Sequence, residues 1–275
     1  MRPTPFVAVL VAATAVSLAF LLIPIVAIFA ELSLGDLRDG LTSQVARDAL
    51  RVTAETNLVA LALIVVFGTP TAYLLATRRF RGRALLVTLV ELPLVLPPAV
   101  AGIGLLAAFG RLGLLGGTLE AIGVEIAFTK VAVVLAVTFV ASPFYVRTAI
   151  ASFEALDPDL VAASRTLGAG PARTFGRVAL PLAAGGLGAG LSLAFARGLG
   201  EFGATIMFAG SLQGVTQTLS LAVYQEFDVN FDNALAIGAL LVVASALILF
   251  TVKLVLAWRR SDSTLITLFA PSGSR

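Results

Sequence analysis

The sequence predicts an all-α membrane protein with about six transmembrane helices, and three observations lead to that fold class. Of the 275 residues, 59% are hydrophobic and only 13% are charged, whereas a soluble domain carries roughly 25% charged residues. The mean hydropathy of the chain is +1.01. Several apolar runs exceed the roughly 18–20 residues that a helix needs to cross a bilayer.

Six apolar runs are long enough to be transmembrane helices. The predicted spans cover residues 6–30, 53–76, 85–109, 128–151, 181–209 and 233–257. The first run is about twice as long as the apolar core of a signal peptide, which favours an uncleaved helix. These spans divide the chain into a first helix with an outer loop (1–50), a transmembrane domain (51–257) and a short cytoplasmic tail (258–275).

The distribution of Lys and Arg predicts the orientation of the spans. The loop after the second span contains Arg78, Arg79, Arg81 and Arg83 and no acidic residue. Because basic residues gather on the cytoplasmic side of a membrane, we expect this loop and both termini to be cytoplasmic. The same bias accounts for the pI near 9.8 without any nucleic acid partner.

The segment 152–180, which follows the fourth span, has the pattern of two short amphipathic helices joined by a glycine turn. Asp157-Pro158 can cap the first helix and occupy its first turn. Gly168-Ala169-Gly170 ends that helix, Pro171 begins the second, and Leu180-Pro181 is expected to end the segment before span five. One face of the first helix consists of Leu160, Ala163, Ser164 and Leu167. The pattern alone leaves two interpretations open, a surface for a cytoplasmic partner or an interfacial loop.

This segment resembles the cytoplasmic loop of binding-protein-dependent ABC importer permeases. The loop of that family reads Glu-Ala-Ala, three residues, Gly, nine residues, then Ile-x-Leu-Pro. Here Ala162-Ala163-Ser164, Gly168 and Val178-Ala179-Leu180-Pro181 keep the spacing, but Ala162 stands in the place of the glutamate. The resemblance implies the type I ABC importer permease fold, with a coupling helix near 157–178 that docks on an ATPase. The residues implied in docking are Leu160, Ala163, Ser164, Leu167, Gly168, Ala169 and Pro171.

The resemblance also implies a set of partners. The sequence has no G-x-x-x-x-G-K-[ST] phosphate loop, so the ATP would be hydrolysed by two separate ABC ATPase subunits and this permease subunit would not itself be an enzyme. A homodimer of permeases and an extracytoplasmic oxyanion-binding protein complete the implied importer. It would lie in the cytoplasmic (inner) membrane of a prokaryote as a multi-pass protein, with no cofactor or metal in this chain.

Further motifs indicate the substrate class. The runs Ala196–Thr205 and Leu92–Pro98 resemble the molybdate/tungstate and sulfate permease subgroup. Within that subgroup, Gln217–Tyr224 is similar to molybdate permeases, whereas Gln225–Asp228 is similar to sulfate permeases. The resemblance favours import of molybdate or tungstate, with a sulfate/thiosulfate permease as the alternative.

Span five contains a charged pair and several glycines. Arg197 and Glu201 stand one helical turn apart at membrane depth, where charges are costly and therefore suggest function. Two interpretations remain open: the pair neutralises itself and fixes helix packing, or it shapes an outer gate beside the translocation path. Gly198, Gly200 and Gly203 favour a break in this span, whereas the G-x-x-x-G pair at 186 and 190 favours helix packing.

Span three contains prolines that prevent a regular helix. Pro93 and the consecutive Pro97 and Pro98 lack backbone donors. Glu91 precedes them and could reach the interface, pair with an arginine of the 78–83 loop, or line the path. The predicted path or gate residues are Arg197, Glu201, Phe202, Gly203, Thr205, Pro97, Pro98 and Glu91.

Two other function classes compete with this interpretation. The chain has no His and no Cys, which excludes the usual hydrolytic and zinc sites of an intramembrane enzyme. An ion-coupled secondary transporter would need buried carboxylates and often has repeats; we see no repeat and assign only Glu91 and Glu201 to spans.

The outer loop 210–232 is acidic and could dock a binding protein.

Overall fold

The computed structural model describes residues 5–268, and every regular element in that part of the chain is a helix. The helices are α1 Pro5–Ala30, α2 Leu34–Thr42, α3 Gln44–Thr77, α4 Arg83–Val95, α5 Pro98–Phe109, α6 Gly116–Ala121, α7 Lys130–Glu154, α8 Pro158–Thr166, α9 Pro171–Leu199, α10 Gly203–Ala209, α11 Leu219–Val229 and α12 Phe231–Leu268. The predicted all-α fold class is confirmed.

Five of these helices are long and apolar enough to cross a membrane, namely α1, α3, α7, α9 and α12. A sixth crossing is available only if α4 and α5 together form one span. The two helices are bent by 114°, because Pro97 and Pro98 supply no N–H and the backbone at Pro97 is extended, with φ −54° and ψ 132°. The expectation that the consecutive prolines prevent a regular helix in span three is therefore confirmed, and the span predicted over 85–109 consists of two helices, α4 and α5.

The fifth span also differs from its predicted bounds of 181–209. Helix α9 begins ten residues earlier, at Pro171, and runs to Leu199 without interruption. Pro181 does not break it, because the turn at Phe175–Ala179 is π-helical and the N–H of Leu180 bonds to the Phe175 carbonyl. The expected separation of the cytoplasmic segment from span five at Leu180-Pro181 is thus wrong.

Helices α3, α7 and α9 form the centre of the molecule and pack through small residues. A Cβ placed on Gly68 of α3 would lie 3.0 Å from the Tyr145 ring of α7. Gly186 and Gly190 of α9 face Ser152 and Thr148 of α7 in the same way. The G-x-x-x-G pair therefore serves helix packing, as predicted, because glycines let two helix backbones approach closely.

The segments assigned to outer loops contain helices of their own. Ser33 caps α2, because its Oγ accepts the N–H of Asp36 at 3.1 Å and its own N–H bonds to the Asp36 carboxylate. The segment predicted as the outer loop 210–232 contains the 11-residue helix α11, which packs on α3 and α12 through Leu219, Ala222 and Ile237. The connection between spans five and six is therefore partly helical.

Helix α1 lies at the edge of the molecule with nearly all of its described side chains exposed. Its packing partner is α12. An apolar helix with this exposure requires lipid around it. At the other end, α12 extends into the predicted tail, and residues 269–275 of that tail and 1–4 of the N-terminus lie outside the described residues.

Candidate translocation path and docking segment

Two interrupted helices contact each other next to their interruptions. The chain leaves helical geometry between α4 and α5, at Leu96-Pro97, and again between α9 and α10, at residues 200–202. A Cβ on Gly203 would lie only 2.7 Å from the Cβ of Pro98, and one on Gly102 would lie 2.6 Å from the carbonyl oxygen of Ala204. The structure thus brings the predicted path residues of spans three and five into backbone contact, and the predicted break in span five is confirmed.

Glu201 lies within the second interruption and is almost completely buried, with 1% of its side chain exposed. Its Oε1 accepts the backbone N–H of Ala204 at 2.7 Å, which satisfies one free donor of the first turn of α10. Its Oε2 lies 2.7 Å from Nη2 of Arg197 and forms an ion pair with it. The angle at the donor is too far from linear for this contact to be a hydrogen bond. A buried carboxylate is tolerated only with such compensation, so the pair fixes the shape of the break.

Polar residues from other helices support the same break. Ser220 donates its hydroxyl hydrogen to the carbonyl of Leu199 at 2.9 Å, and Thr53 accepts the N–H of Leu219 at 2.8 Å. Asn57 is buried with its Oδ1 against Gly198. The sequence analysis missed Ser220, Thr53 and Asn57; the signal that could have found two of them is a polar residue inside an otherwise apolar span.

The remaining predicted path residues of span five differ in exposure. Thr205 is fully buried, and its Oγ1 has no hydrogen-bond partner among the described residues. Phe202 is half-buried, and its ring packs against Tyr224 with 4.9 Å between centroids. Phe202 and Tyr224 line an open cavity of about 440 Å³ together with Phe227. Among these residues, Phe202 is the one that borders open space.

The carboxylates of the spans have partners that the sequence did not indicate. Glu91 lies 3.5 Å from Arg147 of α7, so its expected partner in the 78–83 loop is not the one observed. Glu55, which falls inside the predicted second span, lies 2.7 Å from both Lys130 and Arg51. The assignment of only Glu91 and Glu201 to the spans was therefore incomplete.

The first helix and the glycine turn of the docking segment, residues 157–171, fold as their sequence predicts. Asp157 caps α8 by accepting the N–H of Asp159 at 2.9 Å, and Pro158 occupies the first turn. Gly168 has φ +81°, in the left-handed region that glycine adopts without strain. After Ala169 and Gly170, Pro171 is the first residue of α9.

The four residues predicted to form one face of α8 do not share one environment. Leu167 is 88% exposed, Leu160 is 48% exposed and Ala163 is exposed. Ser164 is instead half-buried, and its hydroxyl bonds to that of Thr174 at 3.1 Å. Ser164 therefore ties α8 to the start of α9, while Leu160, Ala163 and Leu167 are the ones that a partner could reach.

Comparison with known proteins places these features in a family. Residues 64–261 match the model of the "Binding-protein-dependent transport system inner membrane component" family. The chain is 44% identical to the molybdenum transport system permease protein ModB of Mycobacterium tuberculosis over 235 residues, covering 86% of this chain and 89% of that protein. It is 37% identical to the sulfate transport system permease protein CysT of Salmonella typhimurium over 239 residues, covering 85% and 86%.

A solved structure shares the fold at much lower identity. The crystal structure of a bacterial ABC transporter involved in the import of the acidic polysaccharide alginate matches with a TM-score of 0.72. The match covers 91% of this chain and 94% of that one at 16% sequence identity. It shows the type I importer permease arrangement of the helices.

Proposed function

The chain belongs to the family of binding-protein-dependent transport system inner membrane components, and from that membership we propose that it is the permease subunit of an ATP-driven importer of molybdate or tungstate. The observation that carries the proposed path is the contact between the two interruptions, at Gly203 and Pro98. Non-helical backbone at membrane depth is tolerated where protein buries it or where it lines a water-filled cavity. We therefore assign the path to this junction.

The proposed mechanism is alternating access driven from the docking segment. Two ABC ATPase subunits close on ATP, and the exposed Leu160 and Ala163 of α8 and the adjoining Leu167 follow that movement. The Ser164–Thr174 hydrogen bond couples α8 to α9. Helix α9 has 29 residues, about 43 Å at 1.5 Å per residue, and it ends at the break that contains Glu201. One rigid element thus connects the docking turn to the junction.

The Arg197–Glu201 pair is proposed to hold this junction closed at the outer gate. Arg197 keeps 26% of its side chain exposed, whereas Glu201 keeps 1%. When α9 moves, the pair loosens and the guanidinium becomes available to a passing oxyanion. A cation that is partly neutralised in the resting state binds such an anion weakly, and transport requires sites that release their ligand.

The assembly that we propose around this chain is a permease homodimer with two ATPases and an extracytoplasmic oxyanion-binding protein. It lies in the inner membrane of a prokaryote with both termini cytoplasmic. The 210–232 segment, which includes the exposed Asp228 and Asp232, is the proposed contact with the binding protein. The family's dependence on a binding protein supports that partner.

The substrate proposal rests on the higher identity to the molybdenum permease, 44% against 37% for the sulfate permease. Because both relatives are similar over most of the chain, a sulfate/thiosulfate permease is the second candidate.

The test is uptake into proteoliposomes that contain this chain, its ATPase and its binding protein, with molybdate, tungstate and sulfate in competition. We expect ATP-dependent uptake of molybdate or tungstate that excess sulfate does not displace. Uptake dominated by sulfate would select the second candidate. Uptake that persists without ATP and collapses with the ion gradient would instead identify an ion-coupled secondary transporter and contradict both.

A further inference from the structure

A large cavity lies beside the docking segment and away from the proposed path. Its volume is about 800 Å³, and its walls are the ends of α3 and α7, the α3–α4 loop and one face of α8. The ionisable residues that line it are Arg79, Arg83, Arg165 and Glu154. Three cations and one anion leave the cavity with an excess of positive charge.

The three arginines are not equally engaged. Arg83 is committed to the fold, because its Nε donates to the carbonyl of Leu75 at 2.6 Å and its Nη2 pairs with Glu154. The guanidinium groups of Arg79 and Arg165 make no hydrogen bond or ion pair with any residue in the described range 5–268. The one carboxylate in the cavity wall is thus already used, and two guanidinium groups remain without an anion.

The size of the side chain at position 162 leaves this cavity open. Ala162 contributes only a methyl group to the wall, between Val161 and Arg165 on the same face of α8. The acids nearest in sequence, Asp157 and Asp159, belong to the first turn of α8 and its cap and are absent from the lining residues. A carboxylate at position 162 would fill the space beside Arg165 and neutralise it.

Apart from Thr77, the rest of the cavity wall consists of aromatic and apolar residues, and an exposed apolar surface of α4 begins beside it. Tyr73 and Phe153 line it with their rings in edge contact, at 5.2 Å between centroids. Helix α4, which starts at the cavity with Arg83, exposes Leu85 and Leu89 along its length. A ligand with an anionic head and apolar chains would match both surfaces.

We propose that this cavity binds a phosphate-bearing anion through Arg79 and Arg165, and that the headgroup of an anionic phospholipid is its source. Arginine donors suit phosphate oxygens in charge-assisted, bidentate hydrogen bonds. Basic pockets between transmembrane helices on the cytoplasmic side bind lipid headgroups in this way. The lipid would then contact α8 directly, at the segment that docks the ATPase.

The experiment measures retention of phosphatidylglycerol against phosphatidylcholine on the purified full-length chain by native mass spectrometry. We expect the wild type to retain phosphatidylglycerol in preference. Each arginine contributes about fivefold to such binding, so Arg79→Gln with Arg165→Gln should weaken it about 25-fold. Ala162→Glu should weaken it as well, since it places a carboxylate in the cavity. Arg79→Lys with Arg165→Lys should retain much of the binding and serves as the folding control.

The matched control is Arg81→Gln, because Arg81 lies in the same basic loop but not in the cavity wall. Inorganic phosphate in a competing arm separates the two sources: displacement by millimolar phosphate identifies a soluble anion at the same site, and resistance to it identifies the lipid. The proposal is overturned if Arg81→Gln loses as much phosphatidylglycerol as the variant with both Arg79→Gln and Arg165→Gln. It is also overturned if that double variant retains as much as the wild type. A double variant that keeps the lipid but loses the ATPase overturns it too, since the arginines would then contact protein.

Discussion

Glu201 is held in the bundle by two contacts of different kinds, one to a backbone N–H and one to a guanidinium. The two partners of the ion pair are unequally buried, and this asymmetry has an energetic consequence. Loss of Arg197 strands a carboxylate that cannot reach water. Loss of the Glu201 charge leaves a guanidinium that can.

We therefore expect Arg197→Met to lower the free energy of unfolding far more than Glu201→Gln. Breaking a buried pair by removing one partner costs about 3–5 kcal/mol, and this applies to the arginine variant. The glutamine can still accept the Ala204 N–H, so its cost should be about 1 kcal/mol. The double variant should recover part of the arginine loss. Denaturant titration in micelles measures all three, and equal costs for the two single variants would contradict the assignment.

Gly203 makes the closest approach between the two interruptions. In Gly203→Ala the new Cβ would lie 2.7 Å from Pro98 Cβ and 3.2 Å from the Ala99 nitrogen. Overpacking of this kind costs about 1–3 kcal/mol, and the shift of α10 should also reduce uptake. Gly185→Ala is the control, because no heavy atom lies within 4 Å of its Cβ and a helical Gly→Ala change stabilises by up to about 1 kcal/mol. A Gly203→Ala variant with wild-type stability and uptake would refute the close packing.

At this scale the sequence predicted the charged pair but not its geometry. Arg197 and Glu201 are conspicuous because charges are rare in spans. The role of Glu201 as acceptor for α10 follows from a break whose bounds the sequence did not define. Glu55 pairs with Arg51 of its own helix and with Lys130 of α7, and Glu91 pairs with Arg147 of α7. The two contacts to α7 join distant helices, and such contacts leave no local pattern in a single sequence.

Helix α8 and the turn at Gly168 form the element that we propose for coupling to the ATPase. The sequence predicted them accurately because caps and glycine turns are local features: Asp157, Pro158 and Gly168 each satisfy a requirement of their own neighbours. The end of the segment at Pro181 was predicted wrongly because the helix continues through this proline. A π-helical turn just before it makes that possible, and the sequence carries no signal for that turn. Helix α11 was missed because its polar residues resemble a loop when its packing on α3 and α12 is unknown.

We expect Gly168→Pro to uncouple ATP hydrolysis from transport while membrane insertion is preserved. Proline fixes φ near −65°, and Gly168 requires +81°, so the turn between α8 and α9 must rearrange. The measurement is the ratio of ATP hydrolysed to oxyanion taken up by the reconstituted importer.

Gly170→Ala provides the matched control for that experiment. Gly170 has φ −66° and open space around its Cβ, so alanine fits without strain and coupling should remain normal. Normal coupling in Gly168→Pro as well would show that this turn does not transmit the movement.

Over the whole molecule, the spans and their number could be predicted from composition, since a run of about 20 apolar residues has few alternatives to crossing the bilayer. The prolines of span three and the glycines of span five also indicated that these two spans are interrupted. The size of the 114° bend between α4 and α5 and the bounds of α10 could not be predicted, because they depend on contacts between distant helices.

The absence of cysteine from the chain allows a direct test of the orientation. Leu112, in the segment between α5 and α6, is fully exposed, and Arg81 is exposed in the loop between α3 and α4. With a membrane-impermeant maleimide on intact cells, Leu112→Cys should be labelled. Arg81→Cys should react only after permeabilisation. The reverse pattern would invert the topology and move the cytoplasmic docking segment to the wrong side for an ATPase.

The exposure of α1 bears on how the protein is assembled during synthesis. A helix with nearly all of its described side chains exposed can partition into the bilayer as soon as it leaves the ribosome, since each Leu, Ile, Val or Phe favours insertion by about 0.3–0.6 kcal/mol. The bent pair α4–α5 and the seven-residue α10 have no such independence, because their free backbone groups need α3, α7 and α9 as neighbours. Helices that insert alone should therefore enter the membrane before those that need neighbours, and the proposed path should be the last part of the molecule to form.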